Sequence, residues 1–362
     1  MIKEAVGKVI LRRNLSEAEM EEVMQEITTG VASAEQVASF VTALRMKGET
    51  PEETAAAARI VKEKALTLNG GDDLVCLDRE EITAERETIL STAGSSIGTN
   101  IFNISTATAL VAAGGGVKVA KYVRRSSFPL CGCADVIEAL GVNLDLTPTQ
   151  LERCTREVGI CLLYEPLVKN GLRHIMAVRE RIGIRTIFNL LEPLVNPAMA
   201  KVQVLGVYEP ELTETMARVL KNLGIKRALV VYGDETLDEM SITGKTKITE
   251  LKGGEISTYF IQPEDVGMKR GRISEIKGGT KHQNAKIILD ILEGGKGAAR
   301  DITALNAAAA FVVAGRAENL DEGVRLANRS IDSGESLNKL KTLIAFTNSE
   351  QRFLRNSYQA EI

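Results

Sequence analysis

At Asn69-Gly70-Gly71-Asp72-Asp73 the chain changes its pattern, and that change constrains the fold more than any other feature. Upstream, apolar residues recur at helical spacing between start and stop signals. Ser16 with Glu19, and Ser33 with Gln36, have the Ser-x-x-Glu/Gln spacing of a capping box. Gly48 stands where the second of these helices should end, and Pro51 takes the first position of the next after Thr50. Downstream, short apolar runs alternate with helical stretches. Strands are predicted over 87–90, 116–122, 201–208, 227–233 and 257–262, with helices over 101–114, 133–141, 210–224 and 284–295. Such alternation implies parallel strands covered by helices. The run 247–262 differs, because two strand-like halves flank Gly253-Gly254 as in a hairpin. The expected fold class is α/β. A small N-terminal helical domain (1–70) precedes a large α/β domain with a mainly parallel central sheet (71–345) and a loose polar tail (346–362).

The rest of the composition narrows the function. With no Trp and only 4% aromatic residues, the core must be aliphatic and Ala-rich, which suits helices packed on a sheet. A net charge of −3 gives no basic excess and does not favour nucleic acid as a partner. No apolar run approaches the roughly 20 residues of a membrane span. Lys3, Glu4, Lys8, Arg12 and Arg13 break up any signal-peptide core, so a cytoplasmic location is expected. The cysteines are Cys76, Cys131, Cys133, Cys154 and Cys161; their odd number and low density predict reduced thiols. His174 and His282 adjoin no nucleophile pattern, so a catalytic triad is not expected.

Three segments carry chemistry. Residues 91–106, STAGSSIGTNIFNIST, read as a strand, a small-residue loop and a helix starting near Asn103. A helix N-terminus behind small residues suits an anion, and Asn103, Ser105 and Thr106 add side-chain donors in its first turn. Residues 118–141 contain Lys121, Arg124 and Arg125 before Cys131-Gly132-Cys133 and a helix. Residues 233–244, GDETLDEMSITG, place the adjacent carboxylates Asp238 and Glu239 after a strand, and hard oxygens on a loop suit Mg²⁺. A fourth run, IGIRTIFNLLEPLVNPA at 182–198, is rich in special residues without suggesting a chemistry of its own.

Taken together, these segments resemble the anthranilate phosphoribosyltransferase family, from about Leu15 to about Leu343. The resemblance implies a helical domain joined by helices near 160–185, a homodimer through the helical domains, and Mg²⁺ as cofactor. It implies that Thr92, Gly94, Asn103, Ser105, Thr106 and Lys121 bind 5-phosphoribosyl-1-pyrophosphate (PRPP), and that Asp238 and Glu239 hold the metal. It places Arg179, Arg124, Lys169 and Glu192 around the acceptor. KGG (277–279) with Asn284, and ALNAAAA (304–310), also match and read as structural.

The chain also departs from the family pattern. Ser91 and Ala93 replace glycines of the family's GTGGDG, and Ser95 replaces its aspartate. Ala93 matters if that position requires positive φ. Phe128, Pro129, Leu130, Cys131 and Cys133 replace hydroxyl and ammonium donors of the second segment. Arg124 and Lys169 add cations to the acceptor side. The first expectation is therefore transfer of 5-phosphoribosyl from PRPP, with Mg²⁺, to an acceptor more acidic than anthranilate. Two alternatives stand beside it. One is a repurposed or non-catalytic paralogue that binds another anion or nucleic acid. The other is anthranilate phosphoribosyltransferase of tryptophan biosynthesis.

Overall fold

The computed structural model describes residues 1–67, 89–93, 101–125, 131–164, 178, 181–194, 201–234 and 237–360. The chain divides into two units: Met1–Ala84, Pro166–Pro197 and Thr215–Ile225 form the first, and Glu85–Glu165, Ala198–Glu214 and Lys226–Ile362 the second. Thr215–Ile225, expected from sequence in the α/β domain, belongs to the first unit. No helix among the described residues is long and apolar enough to cross a membrane.

The first unit is built on α1 (Ile2–Ile10), α2 (Glu17–Thr28), α3 (Ala34–Lys47) and α4 (Pro51–Thr67). Both expected capping boxes form, on Ser16 with Glu19 and on Ser33 with Gln36, and Gly48 closes α3 at φ 90°. The α3–α4 turn is fixed by Glu53, which is fully buried. Its carboxylate accepts from the backbone N–H of Leu15 (2.8 Å) and Thr50 (2.9 Å) and from Lys47 Nζ (2.8 Å). Removing one member of a buried ion pair strands the other, so Glu53→Ala should cost about 3 kcal/mol. Urea unfolding of that variant followed by circular dichroism checks this; an unchanged midpoint would refute it.

The second unit carries a seven-stranded sheet in the order β3-β2-β1-β4-β5-β6-β7. Its strands are β1 (Ile89–Ala93), β2 (Lys118–Val123), β3 (Ile160–Tyr164), β4 (Val202–Gly206), β5 (Arg227–Gly233), β6 (Thr246–Lys252) and β7 (Glu255–Ile261). The first five are parallel, and β6 and β7 add an antiparallel hairpin turning at Gly253-Gly254, both at positive φ. Helices α5 (Ile104–Gly114), α6 (Cys133–Ala139) and α7 (Pro148–Glu157) follow in chain order, then α8 (Ile187–Leu191) of the first unit and α9 (Leu212–Asn222), which belongs to the first unit from Thr215 on. The chain continues with α10 (Lys281–Leu292), α11 (Ala298–Val313), α12 (Leu320–Asp332) and α13 (Glu335–Ala360). Helix α11 is buried nearly all round, as its Ala-rich sequence allows, and packs against α5 and α12.

Two expectations are corrected. Residues 160–164 form the edge strand β3, paired in parallel with β2, and not part of a helix. A five-residue apolar run buried on both faces has no period that separates strand from helix. The expected loose tail, 346–362, is helical as far as Ala360. After Gly334 no Gly or Pro interrupts the chain, and Leu340, Leu343 and Thr347 form a buried stripe. Thr347 also anchors it, accepting from the Asn143 N–H at 3.1 Å.

Candidate active site

The site in the second unit begins at the N-terminus of α5. Asn103 is the N-cap but does not cap its own helix. Instead its Oδ1 accepts from Asn284 Nδ2 at 3.0 Å. Ser105 Oγ accepts from Lys121 Nζ at 3.0 Å, and Lys121, on β2, is itself buried. Thr106 is buried too, and its Oγ1 makes no hydrogen bond. A hydroxyl stranded in the interior is costly, which marks a place where a ligand could supply the partner.

Opposite lies the loop after β5. Gly233 N–H donates to Leu237 O at 2.8 Å, turning the chain so that Asp238 and Glu239 follow. Asp238 is buried against β4, and it can sit there only because residue 206 is Gly; a Cβ at that position would collide with the Asp238 carbonyl. Asn306 of α11 clamps Met240, two residues on, at both ends, accepting from its N–H at 2.8 Å and donating to its carbonyl oxygen at 3.0 Å. Ser241 N–H donates to Thr246 Oγ1, and the Ser241 and Thr243 hydroxyls pair at 2.8 Å.

The two halves meet at Glu239. Its carboxylate accepts from the Ser105 backbone N–H and feels the Lys121 ammonium, yet burial, and then the charge of Asp238, push it up to about 8. Two adjacent, poorly hydrated carboxylates whose charges oppose each other form a donor set that a divalent cation would satisfy. Among the described residues no group of three or more His, Cys, Asp or Glu could hold a metal. Mg²⁺ takes one or two protein carboxylates and completes its shell with water and phosphate oxygens.

The segment after β2 is organised differently. Cys133 Sγ accepts from Arg124 N–H at 3.3 Å and donates to Arg124 O at 3.6 Å. Arg125 donates to Asp135 (3.0 Å), to both oxygens of Glu138 (2.8 and 2.6 Å) and to Tyr164 Oη (2.8 Å), whose ring it also faces. This guanidinium is engaged by carboxylates within the fold. Ala93, the last residue of β1, lies in regular parallel pairing with Leu205. Arg12 is the single described non-glycine residue at positive φ, so the substitution at 93 introduces no strain.

Asn103, Ser105, Thr106, Lys121, Asp238 and Glu239 thus belong to one unit, with Ser105 hydrogen-bonded to both Lys121 and Glu239. Gly94, Lys169 and Arg179 lie outside the described residues, as do the side chains of Thr92 and Glu192. In the first unit, Asn189 is spent on accepting the Thr186 N–H at 3.1 Å. Asn284 and Asn306, read from sequence as structural, turn out to hold the site's parts in place. Sequence offers one signal, and only for Asn306: an amide in the small-residue run ALNAAAA needs partners if that run is buried.

Residues 3–65 match the helical bundle domain of the glycosyl transferase family, and residues 88–337 match its a/b domain. An anthranilate phosphoribosyltransferase of Citrifermentans bemidjiense is 46% identical over 352 residues, covering 97% of this chain and 100% of that protein. The chain belongs to the anthranilate phosphoribosyltransferase family. Among solved structures, anthranilate phosphoribosyltransferase of Thermus thermophilus is 38% identical, with a TM-score of 0.84 over 95% of this chain and 99% of that one. The Saccharomyces cerevisiae enzyme, solved in complex with PRPP and Mg, is 24% identical and shares the fold, with a TM-score of 0.81 over 96% and 98% of the two chains. The family's architecture, a small helical domain and a larger α/β domain with a mainly parallel sheet, is the one found here.

Proposed function

We propose that this protein transfers the 5-phosphoribosyl group of PRPP to anthranilate, with Mg²⁺. The observation that carries the reading is the meeting of three elements: the α5 N-terminus, the buried Lys121, and the Asp238–Glu239 pair. Together they offer N–H, ammonium and hydroxyl donors to phosphate beside carboxylates for a cation. In the reaction, the bond between ribose C1 and the pyrophosphate oxygen breaks, and a bond from C1 to the anthranilate nitrogen forms. That nitrogen loses a proton, and pyrophosphate departs. No protein nucleophile is needed. Asn103, Ser105, Thr106 and Lys121 bind and orient the donor, and Thr92 and Gly94 are assigned to the same task. Asp238 and Glu239 would hold Mg²⁺, which when bound neutralises charge on the leaving pyrophosphate. Arg179 is assigned to the anthranilate carboxylate, with Arg124, Lys169 and Glu192 around the acceptor.

From sequence alone, an acceptor more acidic than anthranilate is the first expectation. Relatives this similar, all carrying the anthranilate name, favour the alternative, anthranilate itself. Loss of anthranilate fluorescence on mixing with PRPP and Mg²⁺ tests it directly. Turnover of PRPP with another carboxylated acceptor, and none with anthranilate, would restore the first expectation. No PRPP binding at millimolar concentration would remove both. Homodimer formation belongs to the same proposal and is checked by light scattering during gel filtration.

A further inference from the structure

Asn284 lies on α10, 181 residues from Asn103 in the chain, and is buried. Its orientation is not ambiguous. The Gly279 backbone N–H can only donate, and it donates to Asn284 Oδ1 at 2.7 Å. The other end of the same amide, Nδ2, must then face Asn103, where it donates to Oδ1 at 3.0 Å. Asn103 in turn has its oxygen held inward and its own Nδ2 turned away from Asn284. The backbones are pinned as well, through a bridge between Ile101 and Lys277 and through Phe102 N–H to Ile276 O at 3.1 Å.

This polarity has a functional meaning, given the reading that donor phosphates lie at the α5 N-terminus. An anion presents only acceptor oxygens, so an amide at its edge helps if it shows N–H and opposes binding if it shows oxygen. We infer that Asn284 is a positioning residue for donor binding: relaying the fixed direction of the Gly279 N–H, it makes Asn103 a donor toward PRPP.

Asn284→Asp separates this role from mere support. The carboxylate still accepts from Gly279 but has no proton for Asn103, so Asn103 must rotate its amide and turn oxygen toward the phosphates. The expected result, by calorimetry with Mg²⁺, is PRPP binding weakened about tenfold, about 1.4 kcal/mol. The melting temperature should stay near wild type, and KM for anthranilate should not move. The added negative charge is controlled by repeating the change in an Asn103→Ala background. There N284D should cost less than about twofold, because coupled residues are not additive. An equal loss in both backgrounds, the mark of charge alone, would overturn the inference. Asn284→Leu, similar in size and uncharged, serves if N284D does not fold, and a loss of affinity confined to the Asn103 background is again expected. Wild-type protein that binds no PRPP defeats the functional reading and this inference with it. Wild-type binding that N103A weakens and the Asn284 variants leave intact defeats this inference alone.

Discussion

Glu239→Gln should yield a protein that is better folded and nearly inactive. A metal-held charge on a leaving group contributes several kcal/mol, so kcat/KM with PRPP is expected to fall about 100-fold or more. Stability should move the other way. Burial and the neighbouring Asp238 raise Glu239 from 4.5 to about 8 in the folded chain. Below pH 4.5 both folded and unfolded states hold the proton, and the group contributes nothing. Between pH 4.5 and 8 the unfolded chain releases it while the folded chain keeps it, so wild-type stability declines as pH rises; above 8 the decline is complete. Glutamine keeps the acceptor for Ser105 N–H and has no such slope. At pH 7 without metal, the variant should gain about 1–3 kcal/mol. Melting curves from pH 4 to 9 in chelator, paired with kinetics in Mg²⁺, test both halves. Parallel pH profiles for the two proteins would show that Glu239 is not the strained group described here.

Gly206→Val should be nearly as damaging, for a reason unrelated to charge. The new side chain would occupy the space of the Asp238 carbonyl. Either the acid loop lifts off β4 or the strand shifts, and overpacking of this kind costs about 1–3 kcal/mol. Because Asp238 and Glu239 move with the loop, Mg²⁺-dependent PRPP binding should vanish while the far edge of the sheet stays intact. Calorimetry and thermal melting would show both effects. Wild-type affinity in this variant would mean that the loop's seat on β4 does not matter to the site.

How much of this was legible beforehand follows from the range of each interaction. Capping boxes act over three residues, so the starts of α2 and α3 could be read from Ser16 and Ser33 alone. The hairpin at Gly253-Gly254 was readable for the same reason. Strand β3 was not, because ICLLY owes its extended form to pairing with β2 and not to any pattern of its own. The final helix was mistaken for a tail because its surface is polar; its hold on Asn143 comes from 204 residues away. In the site, the charged residues were recognisable as motifs. The two asparagines that brace the site were not, since an amide shows neither in KHQNAKI nor in ALNAAAA which distant groups it will hold. Asn284 reaches back 181 residues to Asn103, and Asn306 reaches back 66 to Met240.

That last link bears on synthesis. A ribosome that has made the chain as far as residue 300 has already produced every charged group assigned to the donor and the metal, but not the amide of Asn306 that seats Met240. A chain stopped there would carry those groups with the Met240 backbone unclamped by Asn306.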